Sequence, residues 1–257
     1  VHDARPDLDF PLPHSARTAR GVYETLLVRE GRPIEQRRHL ERLSTSLREL
    51  YGAALPEHAA SELGRVAGGH ALARLRVEAV PSEGAAASLR CTTEPLDAAV
   101  VLPAEAVALT TVGVRGCAGP HKLSDRSWLA QIEELVGPER RALLVSTAGE
   151  LLETTRANVF LVRGGVLATP PLDGRILPGT VRAALLEHAR ALGVEAHQVA
   201  LDLRALAEAD LVLLSGSLRL LERAGGGGGR RSTLVAERLA DALAAAVLDP
   251  SLATVSP

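Results

Sequence analysis

Apolar and polar positions alternate most cleanly over residues 72–80, LARLRVEAV, where Ala73, Leu75, Val77 and Ala79 fall on one face and Arg74, Arg76 and Glu78 on the other. That spacing predicts a half-buried strand. Val22 to Val28 reads as a second strand, with Glu30-Gly31 as a turn into a partner strand around Pro33 to Gln36. From Arg38 to Tyr51 the period changes: Leu40, Leu43, Leu47, Leu50 and Tyr51 recur at helical spacing, while His39, Arg42, Ser46 and Glu49 share an adjoining face. A further helix is expected over about 57–66. After a loop at 81–86, strands are expected at 89–93 and 107–114.

Gly116-Cys117-Ala118-Gly119-Pro120 interrupts the pattern and is expected to link two domains, a small N-terminal α+β unit over 1–115 and a larger unit over 121–257. In the second part a helix is expected at 127–135 and a buried strand at 142–146. A hairpin follows across Gly164-Gly165, from 158–162 to 166–168. A helix carrying Val181, Leu185, His188 and Leu192 should start after Leu177-Pro178-Gly179 and stop at Gly193. A strand at 194–199, a short helix opened by Asp202, an apolar strand at 211–214 and a last helix from about Ser232 complete the reading. The glycine run 225–229 is expected to be a loop. No internal repeat is visible.

Composition narrows the function classes. The chain has 257 residues, 46% of them hydrophobic, and a formal charge of −2, with arginines scattered among acids. Such a balance suits a soluble globular protein and gives no basic footprint for nucleic acid. The opening residues carry no apolar signal-like run, and the longest apolar stretch, 242–248, is too short for a bilayer. The two cysteines form neither a disulfide framework nor a paired metal motif, so a cytoplasmic setting and no metal are expected.

One count stands out. Of 29 basic residues only one is lysine, Lys122. A GC-rich coding bias accounts for arginine replacing lysine elsewhere and does not account for the one that remains. Arginine cannot form an imine, whereas a lysine amine can once its surroundings favour the neutral form. Chance survival of a surface lysine is the competing reading, and composition leaves the two level.

Three segments carry candidate chemistry. Gly119-Pro120-His121-Lys122 is a tight turn able to hold the amine in a cleft. Glu153 and the chain's sole asparagine, Asn158, lie where a turn enters a buried strand. Gly179-Thr180-Val181 opens a helix whose free N–H groups suit a phosphate, and Ser215-Gly216-Ser217 and Arg42 offer further donors. Taken singly, each has a plain structural explanation.

Taken in order they resemble the class IV aminotransferases, the fold-type IV pyridoxal-phosphate (PLP) enzymes, which include branched-chain and D-amino acid aminotransferases and 4-amino-4-deoxychorismate lyase. The resemblance rests on Gly21-Val22-Tyr23-Glu24-Thr25-Leu26, His39-Leu40-Glu41-Arg42-Leu43, His121-Lys122, Glu153 to Phe160, Thr169-Pro170-Pro171-Leu172, Leu177-Pro178-Gly179-Thr180 and Ser215-Gly216-Ser217. It implies an α+β chain with a small N-terminal domain and a larger domain with a barrel-like core. It also implies PLP as a Schiff base on Lys122, with Glu153 facing the pyridine nitrogen. Arg42, Thr180, Val181 and Ser217 are then the phosphate residues, and Tyr23 reaches towards the cofactor.

The Arg-x-His pattern that some D-amino acid enzymes use for a substrate carboxylate is absent around 84–92; Arg90, Arg74 or Arg76 could stand in, against the competing reading of each singly as a strand arginine facing solvent. The resemblance implies a homodimer acting on an amino acid, with D-amino acids plausible, and a 2-oxo acid. Its alternatives are the lyase reaction, which releases pyruvate, and a catalytically idle PLP-binding protein.

Overall fold

The computed structural model describes residues 3–5, 21–82, 85–225 and 228–248. In chain order the strands and helices of the first half are β1 (Asp3–Arg5), β2 (Val22–Arg29), β3 (Arg32–Pro33), α1 (Gln36–Tyr51), α2 (Ala59–Ala67), β4 (Leu72–Ser82), β5 (Ala85–Pro95) and β6 (Ala108–Val114). The second half continues with α3 (Ser127–Val136), β7 (Arg140–Ser146), β8 (Leu151–Thr154), β9 (Asn158–Arg163), β10 (Val166–Thr169), α4 (Thr180–Ala191), β11 (Ala196–Gln198), α5 (Leu203–Glu208), β12 (Leu211–Ser215), β13 (Glu222–Arg223) and α6 (Arg230–Leu248). The expected α+β class holds.

Contacts divide the described residues into two units, a smaller one (21–82, 85–101, 121–126, 245–248) and a larger one (3–5, 102–120, 127–225, 228–244). This departs from the expected change-over at 116–120. β6 pairs in parallel with β7 along its whole length, which carries 102–120 into the larger unit. Conversely, Leu123 bridges back to Val22, which returns 121–126 to the smaller one. Lys122 therefore belongs to the smaller unit, not to the C-terminal domain as expected.

The smaller unit is an antiparallel sheet in the order β3-β2-β4-β5. Its hairpin from β2 to β3 turns on Glu30 and Gly31, both at positive φ, the geometry a two-residue turn demands. The alternation in β4 does what its pattern predicts. Ala73, Leu75, Val77 and Ala79 are buried together with Val22, Leu26 and Val28 of β2, beneath Leu43 and Leu47 of α1 and Leu63 and Ala67 of α2. Each buried leucine contributes roughly 2 kcal/mol relative to exposure.

Two local differences have simple causes. The expected strand at 33–36 shrinks to two residues, since Pro33 has no N–H to donate and α1 begins at Gln36. The expected loop at 81–86 is replaced by strand up to Ser82 and again from Ala85. The register shifts between Val80 and Ser82, where Pro81 cannot donate to the ladder. Residues 83–84, and most of the entry segment, lie outside the described residues.

The larger unit carries a nine-stranded mixed sheet along β1-β6-β7-β8-β9-β10-β11, with β12 on β9 and β13 on β12. β9 takes β12 along one edge, while β8 and β10 follow one another along the other. This curls the sheet. A core of Leu109, Leu143, Val145, Leu151, Val159, Leu161, Val212 and Leu214 fills one side. Among the described residues no helix is long and apolar enough to cross a membrane, and no group of three His, Cys, Asp or Glu is placed to hold a metal.

Candidate functional site

Each unit carries its own set of candidate residues. In the smaller unit, residues 121–124 run along the start of β2. The Tyr23 N–H donates to the Lys122 carbonyl at 2.9 Å, and the Ser124 N–H donates to the Gly21 carbonyl at 3.0 Å. Where the chain enters β2 it packs closely on β4, which requires Gly21. Its φ is +131°, and a Cβ there would sit 2.3 Å from the Ala79 carbonyl oxygen. His121 secures the same segment from the other side, its Nδ1 lying 3.1 Å from Ser46 Oγ.

Lys122 is half-buried, and its amine lies 5.1 Å from the centre of the Tyr23 ring. Two guanidinium groups share that ring, Arg76 at 3.9 Å and Arg126 at 5.8 Å. Of the three arginines expected to take a substrate carboxylate, Arg76 lies over the Tyr23 ring. It also forks onto Glu78 Oε1, with Nη2 at 2.6 Å. Arg74 pairs with Glu94 at 2.7 Å, and Arg90 is exposed on β5.

Arg42, on the core-facing side of α1, donates through Nε (2.7 Å) and Nη2 (2.6 Å) to the two carboxylate oxygens of Glu24. His39 Nδ1 lies 2.8 Å from Glu24 Oε2. Glu24 is 1% exposed. Burial alone would raise its pKa, but the charge and hydrogen bonds of Arg42 and the bond to His39 outweigh burial and hold the carboxyl far below the usual range. Burial lowers the His39 pKa. The Glu24 bond opposes that, and the charges of Arg42 and Lys122 add to it.

In the larger unit Glu153 lies buried on β8. Its Oε1 accepts the Leu177 N–H at 3.1 Å and its Oε2 accepts Asn158 Nδ2 at 3.2 Å. The same Asn158 amide donates to the Leu177 carbonyl at 2.9 Å. Glu153 and Asn158 are paired across β8 and β9, so a five-residue separation becomes a cross-strand contact. The turn 177–179 closes over this pair because residue 179 has no side chain. A Cβ at Gly179 would lie 2.0 Å from Asn158 Oδ1.

Gly179 is also the N-cap of α4, with no side-chain cap bond, and Thr180 and Val181 are buried in the first turn. Ser215, paired with Asn158 at the end of β12, has a buried hydroxyl without a hydrogen-bond partner. An uncapped helix start beside an orphaned hydroxyl and a fixed carboxylate fits a phosphorylated pyridine ring. Ser217 is half-buried just beyond.

The family model for amino-transferase class IV matches residues 21–223. This chain belongs to the class IV aminotransferases. Within that family it is similar to a probable branched-chain-amino-acid aminotransferase of Synechocystis, at 37% identity over 91 residues, 35% of this chain and 30% of that protein. The match thus spans under a third of that relative's length. A hypothetical aminotransferase from Mycobacterium tuberculosis has a similar solved structure in its apo form, with a TM-score of 0.77, 27% identity, and 93% of this chain and 94% of that one covered. The same protein has been solved PLP-bound and with alpha-ketoglutarate and PMP. A putative 4-amino-4-deoxychorismate lyase from Legionella pneumophila shares the fold, at a TM-score of 0.67 and 23% identity, with 87% and 90% covered.

For this class IV aminotransferase, the candidate residues expected from sequence do not include Glu24 or Arg126 and give Ser215 no role of its own. Glu24 was signalled by a charge at a core-facing position of β2, in line with Val22, Leu26 and Val28. Arg126 had no signal beyond standing four residues after Lys122. Ser215 was noted only as one of a run of small donors, and its burial without a partner is a property of the folded chain.

Proposed function

We propose that this class IV aminotransferase is PLP-dependent and moves an amino group between an amino acid and a 2-oxo acid. The observation that carries the reading is the placement of the sole lysine. Lys122 is fixed to β2 through its backbone, with its amine beside Tyr23. When bound, PLP supplies an aldehyde for an amine and a ring that stores the electrons of a broken bond.

The chain's residues supply the rest. Lys122 holds the cofactor covalently and carries the proton that moves during the reaction, since its amine is the one side-chain amine in the sequence. Glu153 keeps a proton on the pyridine nitrogen. Its own orientation is fixed by Asn158 and the Leu177 N–H. In the larger unit the first turn of α4, with Thr180 and Val181, and Ser217 are assigned to the phosphate, and in the smaller unit Arg42 is assigned to it by the family resemblance. Arg76, on the Tyr23 ring, takes the substrate carboxylate. The alpha-ketoglutarate and PMP form of the Mycobacterium tuberculosis relative supports a 2-oxo acid as one substrate. Both hands of amino donor fit this set of roles, and a homodimer is the expected assembly.

The test is to add a panel of D- and L-amino acids to the purified holoenzyme and follow the cofactor absorbance. Transamination predicts loss of the band with matched donors and its return on adding a 2-oxo acid. Pyruvate release from aminodeoxychorismate with no acceptor would replace this reading by the lyase reaction. No response to either would leave a cofactor-binding protein without activity.

A further inference from the structure

Glu24 is a costly residue where it stands. It occupies a core-facing position of β2 between buried apolar neighbours, where an unpaired carboxylate would be strongly disfavoured. It is paired on both oxygens, to Arg42 through Nε and Nη2 and to His39 through Nδ1. A buried ion pair is weak grounds for stability, because a well-packed apolar replacement often serves as well. The arrangement calls for another role.

The geometry points to Glu24 as a positioning residue that fixes the guanidinium of Arg42 for the cofactor phosphate, an inference that rests on the PLP reading above. A guanidinium has five N–H donors in a planar fork. Two of them, Nε and Nη2, are turned into the two oxygens of Glu24, which fixes the plane and direction of the fork. An arginine without such a partner has many rotamers to lose on meeting a ligand. His39, one turn before Arg42 on α1, holds Oε2 and so fixes Glu24 in turn. The order of control runs from His39 to Glu24 to Arg42.

Position and charge make opposite predictions here. Glu24 offsets the charge of Arg42. If Arg42 acted only as a positive charge, removing the carboxylate would strengthen its pull on a phosphate. If Arg42 acts through its placement, removing the carboxylate weakens the grip.

The full chain, depleted of cofactor, is titrated separately with PLP and with pyridoxal, which lacks the phosphate. Wild type, Glu24→Gln and Arg42→Lys are compared. The expected result is a preference for PLP over pyridoxal that falls about tenfold in Glu24→Gln, with pyridoxal affinity changing little. Arg42→Lys should lose a similar share. Should Glu24→Gln not fold, Glu24→Asp keeps the charge and shortens the reach, and the same loss of preference is expected. A preference that rises or stays constant overturns the inference, as does an equal weakening of both ligands, which would mark Glu24 as a packing residue only. Wild type binding neither ligand would instead remove the PLP reading itself.

Discussion

Tyr23 and Lys122 are joined twice, by the Tyr23 N–H donating to the Lys122 carbonyl at 2.9 Å and by the amine lying 5.1 Å from the ring centre. The backbone bond fixes where the lysine leaves the chain, and the ring gives its side chain an aromatic face to lie against. Arg76 shares that ring at 3.9 Å. Arg76→Gln should therefore raise the KM for the amino donor about 10-fold or more, the worth of a charged hydrogen bond, with a smaller effect on kcat. Arg90→Gln, altering an exposed strand residue, should change neither appreciably. Steady-state kinetics of the two variants side by side decides the assignment. Equal effects would remove Arg76 from substrate binding.

Glu153 accepts a hydrogen bond on each oxygen, so an isosteric amide keeps the volume and one of these bonds but turns its NH2 toward the other donor. Glu153→Gln is expected to retain bound cofactor while turnover falls by about 10²-fold or more, because a neutral partner no longer keeps the ring nitrogen protonated. Cofactor content by absorbance and single-turnover rates check both halves. Undiminished turnover would take Glu153 out of the mechanism.

Gly179→Ala places a methyl group 2.0 Å from Asn158 Oδ1. The asparagine is held by Glu153 and by the Leu177 carbonyl, so it cannot move aside without breaking a buried bond. A loss of about 1–3 kcal/mol is expected, together with weaker cofactor binding. Thermal melts of the cofactor-free protein measure the first and titration with PLP the second. Adding Asn158→Ser to Gly179→Ala should recover part of the stability. No recovery would place the strain elsewhere.

Acid should weaken the smaller unit in two stages. Folded His39 is held neutral, below its usual value of 6.5, so the unfolded chain binds more protons as pH falls through that value, and stability declines. Glu24 is held ionised, below its usual 4.5, so its contribution is present above that pH and lost on further acidification. His39→Asn should flatten the upper stage, between about pH 7 and 5, and leave the lower one. Denaturant melts across pH for wild type and variant report the slopes. An unchanged upper slope would contradict the buried neutral His39.

Parts of the fold are legible in the sequence. The alternation of β4 assigned its two faces correctly, since a strand buried on one side writes its environment with period two. Lysine scarcity singled out Lys122, and the glycine before α4 marked a helix start that cannot tolerate a side chain. What escaped depended on partners far away in sequence. β8 has four residues, all buried, and so carries no alternation from which to read a strand. The change of unit at 121 is produced by pairing with Val22 and Tyr23, which no local pattern encodes. Glu24 looks like an error in an apolar strand until α1 brings Arg42 and His39 to it.

Borohydride reduction of the holoenzyme, followed by peptide mass mapping, tests the central claim most directly, because reduction locks any imine to the residue that made it. The account predicts one cofactor per chain on the peptide containing Lys122, and no reducible adduct in a folded Lys122→Arg variant that keeps the positive charge. Cofactor fixed by reduction in Lys122→Arg, or recovered on any peptide lacking residue 122, would contradict it.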